Sequence, residues 1–175
     1  MKRFLTFAVI SCSFLVAGAL LQSVRAETLM TEAHIDRIRA NCVDAQSTLN
    51  QLHASDALLR VNRGQLYELM STKLMVPLDS RIALNRLDGL QLVSIAATYE
   101  TQLASFRTSY QLYEESMSSV LKMNCTNQPV AFYDQVVDAR AKRKEVHAAT
   151  FALHKTIQDY KNEFELFAKK NGGTK

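Results

Sequence analysis

The sequence predicts an all-α fold, an elongated up-down-up three-helix bundle with coiled-coil-like packing. Apolar residues recur at alternating steps of three and four over long stretches. Only five Gly and two Pro occur in 175 residues, too few for the many turns of an all-β chain. At 47% hydrophobic and 22% charged, the chain has globular proportions, which excludes wholesale disorder.

The first helix is expected over about 31–75. Thr31 can cap it, with Glu32 and Asp36 favouring its dipole. Ile35, Ile38, Cys42, Ala45, Leu49 and Leu52 form a seam that continues through Leu59, Leu66 and Met70. Asp56 and Arg63 interrupt it at seam positions, and Gly64 marks a place for a kink. Pro77 is expected to end the helix, since it lacks an N–H and restricts the preceding residue.

The second helix is expected over about 80–123, capped by Asp79 or Ser80. Leu92, Ala96, Tyr99, Leu103, Phe106, Tyr110, Tyr113, Met117 and Val120 alternate strictly by four and three. A polar break at 124–128 precedes Pro129, well placed as the first residue of a third helix over 129–170. That helix carries the longest register, from Phe132, Val136, Ala139 and Arg143 to Phe164 and Phe167. Residues 171–175, with Gly172 and Gly173, read as a disordered tail.

Residues 1–26 have the layout of a secretory signal peptide: Lys2 and Arg3, an uncharged run from Phe4 to Leu21, and Val24-Arg25-Ala26 before the cut. Two alternatives stand beside it, an uncleaved anchor and a lipoprotein acylated at Cys12. Without Lys2, Arg3 and Arg25 the formal charge falls from +4 to +1. The basicity is therefore no footprint for nucleic acid, and none is expected as a partner.

An even cysteine pair in an exported chain favours a Cys42–Cys125 disulfide over two buried free thiols. Its register is the difficulty. With an apex at Pro77, residue 42 faces about residue 112, a mismatch of about 18 Å at 1.5 Å per residue. Either the 124–128 loop folds back or the apex lies nearer residue 83.

No catalytic constellation, cofactor site or metal site emerges, and no enzyme is expected. His34, His53, His147 and His154 are scattered along helices, and the last two stand about 10.5 Å apart, too far to share a metal directly. There is no nucleophile elbow, phosphate-binding loop or zinc-protease pair. Arg140, Lys142, Arg143 and Lys144 form one dense basic cluster, a candidate interaction surface or a solvated helix face. Asp56, Arg63 and Asn85 place polar groups at or near seam positions, where such residues fix register or mark a binding site.

The stretches Asp56 to Tyr67 (DALLRVNRGQLY), Ser80 to Arg86 (SRIALNR) and Gln128 to Tyr133 (QPVAFY) resemble uncharacterised secreted helical proteins of small-genome bacteria. The resemblance covers most of the exported chain. It implies export and a helical rod, with no activity or catalytic residue to carry over.

The functional expectation is an exported structural or adaptor rod of the cell envelope with protein partners. The alternatives are a periplasmic-type holdase and a protein anchored outside the cytoplasm by an uncleaved leader, the one case in which membrane contact is expected. Apolar residues used up in a continuous seam weigh against the holdase.

Overall fold

The computed structural model describes residues 30–172. The leader expected at 1–26, its acylation alternative at Cys12 and the last residues of the expected tail, 173–175, lie outside the described residues. Among the described residues all regular structure is helical.

Helix α1 (Glu32–Ala40) starts at Thr31, whose extended backbone and side-chain oxygen receive the His34 N–H. It buries no residue and continues through Asn41 into α2 (Cys42–Leu69). The Asn41 side chain donates to the Arg37 carbonyl at 2.8 Å, covering one helix-end acceptor. Helical hydrogen bonding persists through Gly64.

Pro77 does not end this rod. A π-helical segment, Met70–Met75, leads directly into α3 (Val76–Leu84). Proline removes a donor, and its ring excludes the carbonyl four residues back. In the π segment the bonds span five residues, as from the Val76 N–H to the Ser71 carbonyl. The widened turn takes up the proline that a regular α-helix would reject. The expected second helix from residue 80 is thus corrected, because 76–84 belong to the first rod.

The true stop is a Schellman arrangement. The Leu87 N–H donates to the Ile82 carbonyl at 3.0 Å and the Arg86 N–H to the Ala83 carbonyl at 3.2 Å. Arg86 takes the left-handed position, φ 53°, that glycine usually fills. Gly89 serves a different need: a Cβ there would sit 2.8 Å from the Ile82 Cδ1, so the chain passes close over α3.

Helices α4 (Leu90–Lys122) and α5 (Pro129–Gly172) form a long antiparallel pair. The Asn124 Oδ1 accepts from the Thr126 and Asn127 N–H groups in the turn between them. Bonds from α2 to α4 join Gln46 to Met123, Asp56 to Tyr113 and Tyr67 to Tyr99, so these helices also run antiparallel. With the apex at 85–89, Cys42 meets Cys125, and the two are disulfide-bonded with Cα atoms 5.6 Å apart. The register conflict came from placing the apex at Pro77.

The α4 seam is buried at Leu92, Ala96, Tyr99, Leu103, Phe106, Tyr113, Met117 and Val120, with Tyr110 half-buried. The α2 seam departs from expectation beyond Asp56. Leu59 and Leu66 are 47% and 52% exposed, while Gly64, Tyr67, Ser71 and Met75 turn inward. The inward set 42, 45, 49, 52, 56, 60, 64, 67, 71, 75 averages about 3.67 residues per step. That is the eleven-residue period, not the heptad, and it rotates the buried face off the predicted stripe.

Two cores result. Cys42, Val120, Cys125, Phe132 and Ala139 pack at the disulfide end. A larger core gathers Tyr67, Met75, Ile82, Leu92, Tyr99, Leu103, Phe106, Leu153 and Tyr160 toward the apex. Among the described residues no helix is long and apolar enough to cross a membrane.

Candidate functional site

Between the two cores, α2, α4 and α5 each contribute a polar side chain to one centre. Arg143 approaches Asp56 as a fork: its Nε donates to Oδ2 at 2.6 Å and its Nη2 to Oδ1 at 2.9 Å. The Tyr113 hydroxyl donates to the same Oδ2 at 2.7 Å. Burial works to raise the Asp56 pKa. The hydrogen bonds from Arg143 and Tyr113, with the Arg143 charge, outweigh it and hold the carboxyl below its usual range. Arg143 is held up in turn by its bond to Asp56, and the Tyr113 hydroxyl is pushed up by burial and by that carboxylate.

Beside this centre lies a cavity of ≈ 200 Å³, lined among others by Arg60, Arg63, Tyr110 and His147. Gly64 is what lets Arg60 fold along its own helix, since a Cβ there would lie 2.1 Å from the Arg60 Nη1. The folded guanidinium stands over the Phe106 and Tyr110 rings, 5.5 and 5.4 Å from their centroids. The Tyr110 hydroxyl donates to the Glu114 Oε2 at 3.3 Å, and its pKa is pushed up to about 12, by burial first and then by Glu114. The His53 Nε2 lies 2.6 Å from the other oxygen of Glu114.

Of the predicted seam interruptions, Asp56 and Arg63 share this cavity. Asn85 lies apart at the apex, where its side chain donates to the Arg81 carbonyl at 2.8 Å. The basic cluster divides. Arg143 enters the centre, Lys142 pairs with Asp138 at 2.8 Å, and Arg140 and Lys144 are exposed.

Sequence reasoning missed the polar rungs that link the helices elsewhere. Tyr99 donates to the Tyr67 carbonyl at 3.0 Å, Thr156 to Gln102 at 2.7 Å and Ser116 to Asp138 at 2.7 Å, while Ser71 reaches Glu100. Their partners lie on different helices, so no local spacing reveals them. One signal was present: Asp56 and Arg143 carry opposite charges at seam positions of the first and third helices.

A second cavity, ≈ 510 Å³, opens between the π segment, α3 and the C-terminal half of α5. Near it the Asp79 Oδ1 and the Tyr160 hydroxyl are buried without a hydrogen-bond partner among the described residues. Burial raises the Asp79 pKa. Among the described residues no three His, Cys, Asp or Glu side chains gather to hold a metal. The centre at Asp56 neutralises its own charges, and both carboxylate oxygens and the Tyr113 hydroxyl are engaged within it. Searches of known protein families, curated proteins and solved structures found no match to the chain.

Proposed function

We propose that the chain is an exported, non-enzymatic helical rod, an elongated up-down-up bundle serving as a structural or adaptor protein of the cell envelope. The observation that carries this reading is an uncovered apolar row on α2, with Leu58, Val61 and Leu69 respectively 64%, 51% and 50% exposed. At 100° per residue the three fall within about 80° of the helix circumference, so they form one face. Such a face on a soluble helix is a common mark of protein association. Export is supported by the Cys42–Cys125 bond, which persists in oxidising compartments. The engaged carboxylate oxygens at Asp56 support a role in holding helices together over one in chemistry.

The same row favours a second reading, the holdase. The chain's apolar residues are not used up in the seam, since Leu59, Leu66 and Leu74 are also about half exposed or more. Crosslinking and pull-down from the host envelope separate the two, using the native chain and a Leu58→Asp/Leu69→Asp variant. The rod predicts one stoichiometric partner, lost in the variant while helicity is kept. Broad suppression of aggregation of unrelated unfolded proteins would favour the holdase. Turnover of a substrate by the purified chain would contradict both.

A further inference from the structure

The cavity at the π segment combines features that the rod reading does not use. Its ≈ 510 Å³ lies within the usual range of small-molecule sites, about 300–1,000 Å³. Its walls include Met70, Leu74 and Leu78 on one side and Ile157 and Phe164 on the other. Leu74 and Phe164 remain 59% and 42% exposed although a core lies beside them. Three exposed cations, Lys73, Arg81 and Lys161, also line it. Among the described residues Lys73 and Arg81 make no ion pair, and Lys161 has only Glu165, at 3.8 Å. Tyr160, nine-tenths buried, adds a further wall. π-helical turns are rare and recur at functional sites, and here Met70, Lys73, Leu74 and Met75 from one all line the cavity.

We infer that this cavity binds a single-chain amphiphile, its acyl chain along the Met, Leu, Ile and Phe walls and its anionic headgroup at Lys73, Arg81 and Lys161. Flexible Met and Leu side chains suit an acyl chain better than a rigid ring system. The cations select the sign of the head.

Calorimetric titration of the disulfide-bonded chain with dodecanoate, below its micelle concentration, tests the assignment. One saturable site is expected, with dodecyltrimethylammonium binding at least about tenfold more weakly. Lys73→Glu/Arg81→Glu, both on the surface, is expected to weaken dodecanoate by about tenfold without lowering the melting temperature. Co-sedimentation with phosphatidylcholine vesicles carrying lysophosphatidylglycerol places the amphiphile's source in a bilayer, and its absence places the source in solution. No saturable site for dodecanoate, equal affinity for the two amphiphiles, or unchanged affinity in the folded Lys73→Glu/Arg81→Glu variant overturns the inference.

Discussion

The two ends of the bundle hold together by different means. At the disulfide end the core is thin, and α1 beyond it buries nothing. A covalent bond compensates there, and the forked Asp56–Arg143 pair braces the helices just inward of it. Toward the apex a larger core of Tyr, Phe and Leu does without a covalent bond, and its forked Glu68–Arg107 pair stands more exposed. That end also accommodates a π segment, an open cavity and two orphan polar atoms. Where packing is ample, local irregularity is tolerated; where it is thin, every polar group at the centre is paired.

Removing the disulfide by Cys42→Ser/Cys125→Ser should have the largest effect. For a separation of 83 residues the chain-entropy model gives about 4–5 kcal/mol, read as a drop in denaturation free energy. A loss below about 1 kcal/mol would mean that packing alone holds the thin end. Next comes Asp56→Ala, which strands Arg143 and Tyr113 and is expected to cost about 2–3 kcal/mol. A double-mutant cycle with Arg143→Met should show clear coupling; simple additivity would remove the pair from the account.

The sign of pH dependence sharpens the contrast. Asp56 has a folded pKa below the ordinary aspartate value of 3.8. Its contribution is present above pH of about 4 and is lost as pH falls through the folded value. Asp79 is the reverse, because burial raises its folded pKa above 3.8 and its ionisation costs stability as pH rises through that value. Asp79→Asn should therefore stabilise by up to about 1 kcal/mol at pH 7 and by nothing near pH 3. Melting curves of this variant and Asp56→Ala, compared from pH 3 to 7, should diverge from the parent in opposite directions. The smallest effect, also near 1 kcal/mol at most, is expected from Arg86→Gly, which relieves a left-handed side-chain residue at the helix stop. A destabilised Arg86→Gly chain would show that the arginine side chain does more than occupy the turn.

The parts of the fold that could be read from the sequence are those where one physical signal acts alone. The α4 seam is legible because Leu, Tyr and Phe sit at strict four-three spacing with few apolar rivals on other faces. On α2, apolar or aromatic residues occupy adjacent positions at Leu66 and Tyr67, so both stripes looked adequate and tertiary packing chose the second. Pro77 carries the usual stop signal, but a π turn cancels it. The actual stop has Arg86 where a glycine would have announced it. The cysteine pairing was legible from chemistry before its geometry made sense. Half of the polar centre was visible in Asp56, whereas Tyr113 looked like any other seam tyrosine until its hydroxyl found the carboxylate.

Hydrogen exchange of the oxidised and the reduced chain tests the division of labour most directly. Reduction should speed exchange in α1 and in α2 from Cys42 to about Asp56. Protection at Tyr67 and along Leu92 to Phe106 should persist, because that core does not depend on the bond. Uniform loss of protection along all helices, or loss first at the apex, would contradict the account.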